Sequence, residues 1–281
     1  MIYLVLSALL YVINNFYWKH NLNLQINEFT LIFNRAIYTV LISLILNLVI
    51  PTGIFELTLI NHISVCIASF LGALGLIFMV RGLKLNQLNQ LGIYNLFGAL
   101  ISLLIVQFYI TSYHILAYPL ILITLSGYVL CIYPIRGHTF SKLNLNFVGM
   151  VICFTASSFF HWINLKNIHP IYVCLNQEVI VLTSSLVWIK LFNKSPKITV
   201  KSIFQQMHII LSAIIILGAL CIGYFALKKV DPFMVNLVYL TIGPITFLIG
   251  IIVFKESIKF RKVIGILAMT MGISILYMIQ N

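Results

Sequence analysis

The chain is 281 residues long, 62% hydrophobic and 8% charged, with a mean hydropathy of +1.09 and a formal charge of +12. Soluble domains carry about a quarter charged residues, so 17 basic and 5 acidic side chains are too few to coat a water-facing surface of this size. A nucleic-acid surface is excluded as well, because the basic residues are spread over short connections and form no single stripe.

In lipid every backbone amide must be satisfied within the chain, by helices or by a closed barrel. The apolar runs continue for roughly 20 residues without barrel-strand alternation, the length a helix needs to cross a ~30 Å hydrocarbon core. Ten spans follow in chain order. The first half holds Ile2 to Trp18, Phe29 to Ile50, Leu59 to Val80, Leu88 to Phe108 and Ile115 to Ile135. The second holds Leu145 to Leu165, Ile171 to Leu191, Met207 to Leu227, Phe233 to Phe254 and Val263 to Ile279. The first run lacks a basic leader and a small-residue cleavage site, so it is expected to stay as a span.

Turn chemistry supports the cuts at Pro51-Thr52-Gly53, Arg136-Gly137-His138, Asn167 to Pro170, Asn193 to Pro196 and Asp231-Pro232. Pro170 and Pro232 suit a first helical turn, where no amide bond is lost. Cys66, Cys131, Cys153, Cys174 and Cys221 fall inside apolar runs without metal or redox spacing, and read as small core residues.

Gly72 to Leu91 aligns without gaps on Gly218 to Leu237, with identities at Gly72, Ala73, Leu74 and Leu91. Both copies run from the third span of a five-span set into the fourth. Five is odd, so the second set must enter the membrane in the opposite sense. The expected architecture is therefore an all-α polytopic membrane protein of ten transmembrane helices, as two inverted five-helix repeats over residues 1–140 and 141–281. Such repeats recur in secondary transporters, with the substrate site near midplane between the halves.

The segment from Gly223 to Met278 carries Ala226-Leu227-Lys228-Lys229, a central Pro244, Lys255-Glu256, and Gly265 with Gly272. On these residues the chain resembles the drug/metabolite transporter superfamily, EamA type. Arg35 matches a frequent arginine of that family in the first half, where Gly98 stands in place of the central proline and Gln107-Phe108-Tyr109 in place of the acid. The resemblance implies ten helices in two repeats, and secondary-active transport, as importer or exporter, of metabolites such as amino acids or related solutes. A multi-pass protein of a bacterial inner membrane is expected, and no enzymatic activity, since Glu28, Glu56, Glu178, Asp231 and Glu256 are isolated in sequence and metal-dependent phosphate chemistry needs clustered carboxylates. No cofactor is expected. The partners expected are a small-molecule substrate and the lipid bilayer, with the protein a monomer or homodimer. A membrane enzyme acting on lipid-linked substrates, or an accessory protein without flux, are the alternatives.

Glu178 is the only acid well inside an apolar run, where an ionised carboxylate costs on the order of 2.5 to 3.5 kcal/mol. It is the candidate protonatable coupling group, against a structural carboxylate beside Asn176 and Gln177. Arg35 holds the matching place in the second span. Because those two spans start at opposite faces, at about 1.5 Å per residue the two side chains fall on different sides of midplane, and no pair between them is expected. Arg35 is assigned to an anionic substrate group, carbonyls or headgroups.

Asn15, Asn95 and Tyr239 are the preferred pocket residues, because the resemblance makes the first, fourth and ninth spans line the cavity. Asn14, Ser102, Thr155, Ser157, Ser158, Asn236, Thr241 and Thr246 supply further polar groups, with interhelical glue as the competing role. Gly243-Pro244, at the centre of the ninth span, is a candidate hinge or static kink. Gly72 with Gly75, and Gly265 with Gly272, read as helix contacts. Trp18, Trp162 and Trp188 read as interface anchors, and no metal site is expected from the scattered histidines. Odd-numbered connections hold thirteen Lys and Arg against Lys166, Lys228 and Lys229 in the even ones. That bias puts both termini outside, whereas the resemblance implies both inside.

Overall fold

A computed structural model of the chain describes residues 2–23, 27–53, 57–110, 117–132, 144–191, 203–229, 235, 238–239 and 241–280. Among these residues there are ten helices and no strand. They are α1 (Ile2–Asn23), α2 (Glu28–Val49), α3 (Leu59–Leu85), α4 (Leu88–Ile110), α5 (Ala117–Ile132), α6 (Leu145–Leu165), α7 (Pro170–Leu191), α8 (Ile203–Lys229), α9 (Ile242–Ile252) and α10 (Phe260–Gln280). Asn236 and the turns at Arg136, Asn193 and Asp231 lie outside the described residues.

Among the described residues five helices are long and apolar enough to cross a membrane: α2, α3, α6, α7 and the Gln206–Lys229 part of α8. The surface agrees with this, since Leu48, Ile60, Leu85, Leu145, Ile252 and Phe260 all expose large apolar side chains, Leu48 to 85%. In water such exposure is unfavourable by about 25 cal/mol per Å², and lipid removes that penalty. The chain is a helical, membrane-embedded protein.

Local chemistry sets the helix ends. The side chains of Asn27, Thr58 and Asn144 accept from the backbone N–H groups of Phe29, Asn61 and Asn146 and start α2, α3 and α6. Pro170 opens α7 as its fixed φ allows. Several helices outrun their apolar spans: α1 continues from Trp18 to Asn23, α3 from Val80 to Leu85 and α8 from Leu227 to Lys229. Hydropathy falls at the first charge, but Lys84, Lys228 and Lys229 occupy last turns, where cations suit the negative end of the helix dipole.

Successive helices run in alternating directions. At one end Lys19 Nζ donates to the carbonyls of Leu83 and Asn86 at 3.1 and 2.7 Å, and Glu28 pairs with Lys84. Phe29 stacks on Trp188 and His20 lies beside His208 at that same end. At the opposite end Asn47 donates to the Ile171 carbonyl, Ser64 donates to Asn164, and His62 meets Tyr172. The described ends of α1, α3 and α7 and the starts of α2 and α8 thus gather at one end, and the ends of α2 and α6 and the starts of α3 and α7 at the other.

The most extensive packing joins α3 to α6, α5 to α10, α2 to α7, α1 to α8 and α4 to α9. Two of these contacts bring backbones together at glycine. A Cβ on Gly92 would fall 2.5 Å from the Gly243 carbonyl oxygen, and a Cβ on Gly127 would fall 2.6 Å from that of Gly265. The expected contact roles of Gly75 and Gly272 appear against Phe154 and Thr124.

Candidate functional site

A cavity of about 280 Å³ opens among the helices. Asn15, Arg35, Asn95, Glu178 and Tyr239 all line it, so five residues chosen from sequence for the site converge on one space. Much of the wall is aromatic, with Tyr11, Tyr94, Phe154, Phe159, Trp162 and Tyr224. Helices α5 and α10 contribute no described residue to the lining and pack on each other at the side.

Arg35 and Glu178 meet, contrary to the sequence expectation. Arg35 Nη2 lies 3.0 Å from Glu178 Oε2, and the Thr39 hydroxyl donates to the same oxygen at 2.6 Å. The expectation compared Cα heights and left out side-chain length. Thr39 is one helical turn beyond Arg35 and level with the carboxylate, so the arginine has only about 6 Å to span along the axis, well within its reach. Both side chains are about 2% exposed. The guanidinium carbon also sits 5.2 Å over the Trp18 ring. A buried pair of this kind compensates its charges mutually, and removing one partner leaves the other uncompensated.

Trp18 is 1% exposed and packs inside on Arg35, so it does not anchor an interface as expected. Trp162 faces the cavity with Lys166 Nζ 4.7 Å over its ring, and Trp188 stacks on Phe29. Position near a span end is the same for a lipid-facing ring and an inward one, and the helix face decides between them.

The amides and hydroxyls divide into two groups. Asn15 Nδ2 reaches Thr246 Oγ1 at 3.4 Å, and Ser157 gives its hydroxyl hydrogen to the Ala68 carbonyl at 2.8 Å, both as interhelical bonds. Ser7 donates to the Ala219 carbonyl at 2.9 Å, which leaves its oxygen to accept from the Tyr239 hydroxyl at 3.0 Å. Asn95 lines the cavity with no hydrogen-bond partner among the described residues, and Asn14 Oδ1 is buried and unpartnered. These last two amides are the ones free to meet a solute.

Gly243 and Pro244 fall in the first turn of α9 as described, and residue 240 just before it lies outside the described residues. A proline there forfeits no helical bond. Gly243 makes the close approach to Gly92, and neither residue is in the cavity wall, which Ile242 joins just before them. The Lys255-Glu256 motif also has a structural use. Glu256 accepts from the backbone N–H groups of Leu88 and Asn89 at 2.6 and 2.8 Å, capping α4.

Sequence reasoning missed Tyr11, His161 and Gln177. Gln177 accepts from the Tyr224 hydroxyl at 2.5 Å, and His161 lies 5.0 Å from the Tyr224 ring. The signal was available in helical spacing, since Tyr11 shares a face with Asn14 and Asn15, and His161 with Ser157 and Ser158. Among the described residues no three His, Cys, Asp or Glu side chains are grouped to hold a metal ion.

No protein-family model matches the sequence, and no curated protein does. The fold itself is shared, as 26 chains of solved structures match it. One of them, described only as a crystal structure of a protein, superposes with a TM-score of 0.70 at 12% identity, over 98% of this chain and 96% of its own. At that identity the likeness extends to the fold alone.

Proposed function

We propose that the chain is a secondary-active, alternating-access transporter of a small metabolite, built from two inverted five-helix repeats of EamA type across a cell membrane. The observation that carries this is the cavity: it lies between residues 1–140 and 141–281, and its buried ion pair takes Arg35 from one and Glu178 from the other. The packing supports the repeat. Advancing every helix number by five turns α3 on α6 into α8 on α1, and returns α2 on α7, α4 on α9 and α5 on α10 to themselves. Under this reading α1, α4, α5, α9 and α10 also cross the bilayer, giving ten spans.

Alternating directions and an odd repeat length make the halves enter the membrane oppositely, and rocking one against the other opens a central site to each side in turn. A cavity of about 280 Å³ lies near the lower limit of pockets that hold drug-sized ligands, roughly 300 Å³, so it suits a solute of amino-acid size. Glu178 is the coupling group and Arg35 its counterion.

Reconstitution into proteoliposomes tests the proposal. Vesicles preloaded with an unlabelled metabolite should accumulate the labelled one in counterflow, and Glu178→Gln should abolish proton coupling in folded protein. Wild-type flux and pH dependence in that variant would remove Glu178 from the mechanism, and flux at empty-vesicle level across a broad panel would refute transport.

A further inference from the structure

Resting on the transporter reading, we infer that the site takes a small organic monoanion, a monocarboxylate with an apolar or aromatic body, and that each bound anion brings one proton onto Glu178. Arg35 is the starting point. It lines the cavity, is 2% exposed, and spends Nη2 on Glu178 while its Nε–H has no partner. A guanidinium is a planar fork of donors matched to a carboxylate. A buried arginine that lines a cavity and keeps an unused donor is thus an incomplete anion site.

Glu178 differs in what it has spent. Its Oε2 accepts from both Arg35 and Thr39, whereas its Oε1 accepts nothing from the described residues. The titratable groups near it from the packed helices are Arg35 on α2, Tyr11 on α1, and Cys221 with Tyr224 on α8, with Cys174 one turn away on its own helix and His161 lining the same cavity from α6. Arg35 is the only fixed charge among them.

Charge balance then sets the stoichiometry. The empty site holds one cation and one anion and is neutral. A carboxylate entering alone would leave a net negative charge in a low-dielectric space, which is strongly unfavourable. Uptake of one proton from water, forming an O–H bond at Glu178 Oε1 and breaking none in the solute, restores neutrality. Arg35 then serves the solute carboxylate, and Thr39 still donates to Oε2. A cationic solute would instead sit beside Arg35 with Glu178, the one carboxylate among the described lining residues, already engaged. The Tyr11, Tyr94, Phe154 and Tyr224 rings supply the apolar wall for the solute body.

Four probes with a common ring and different charge test this on the purified protein in nanodiscs: phenylacetate, phenethylamine, phenylalanine and benzyl alcohol. Calorimetry in two buffers of different ionisation enthalpy counts protons. Phenylacetate should bind at least about tenfold more tightly than the other three, the worth of one charge-assisted hydrogen bond, with about one proton taken up per anion. Glu178→Gln should bind it without proton uptake, and Arg35→Lys should weaken it about ten- to a hundredfold. The wild-type charge series decides the matter even where a variant does not fold. Preference for phenethylamine, equal binding of phenylalanine without proton uptake, or binding of none of the four would overturn the inference. Phenylacetate binding with its proton but without flux would sink transport and leave the anion site standing. Counterflow of other metabolites with no phenylacetate binding would do the reverse.

Discussion

Glu178 and Glu256 are both partnered carboxylates near helices, and their partners make them opposites. Glu256 receives two backbone N–H groups from the start of α4, which that helix must satisfy somehow. Glu178 receives a side-chain guanidinium and a hydroxyl from α2, on the wall of a cavity. A backbone partner cannot leave without unwinding a helix, whereas a side-chain partner can turn to something else. An acid bonded in the first way fixes a fold, and one bonded in the second way can work a cycle.

Breaking each arrangement in turn should give effects of descending size. Glu178→Ala leaves Arg35 buried and unpaired and is expected to destabilise the protein by about 3–5 kcal/mol. The double replacement Arg35→Met with Glu178→Met should recover most of that loss in thermal unfolding, because neither charge then remains. Recovery of none of it would mean that the pair is not the source. Glu256→Ala should lose about 1–2 kcal/mol, the usual worth of a helix cap, and leave solute flux at its wild-type rate.

Gly250 gives an independent handle on the cap. A Cβ there would stand 2.5 Å from Glu256 Oε2 and 2.8 Å from the Asn89 amide nitrogen. Gly250→Ala should therefore push the carboxylate off α4 and destabilise to about the same extent as Glu256→Ala, with no further loss when the two are combined. Additive losses would show that they act separately. An effect no larger than these is expected for Thr39→Val, about 1.5 kcal/mol, the low end for a hydrogen bond to a charged group, because Arg35 still holds the Glu178 oxygen. A loss as large as that of Glu178→Ala would make Thr39 the principal partner.

The sequence made the helices legible because lipid leaves a continuous apolar run few alternatives. It misjudged the ends of α3 and α8, where charged residues continue a helix that hydropathy cuts short. The site was legible in part for the same reason: Arg35, Glu178, Asn15 and Asn95 are polar in runs where polarity is unfavourable. Their mutual arrangement was not. Rise per residue fixes Cα heights, but Arg35 meets Glu178 through about one helical turn of side-chain reach. Trp18 was misread because nothing in its position near a span end tells which face of α1 it occupies. The close approach of Gly243 was not legible, because it depends on Gly92, 151 positions away in the chain.

The charge bias also gains a location among the described residues, since Lys19, Arg81, Lys84 and Lys190 sit at the end shared by α1, α3 and α7, and Lys255 stands beside Glu256, which caps the start of α4 there. A reporter fused after Asn281 tells which compartment faces the other end. A cytoplasm-active signal would contradict the rule that places the basic end inside.

Alternating access is the central claim, and side-specific labelling at Asn95 tests it most directly. In protein lacking its five native cysteines, Asn95→Cys can be exposed to a membrane-impermeant thiol reagent from either face of oriented vesicles. Labelling from both faces, with a transported solute protecting the thiol, is the predicted result. Labelling from one face only, under all solute and proton gradients, would contradict the account.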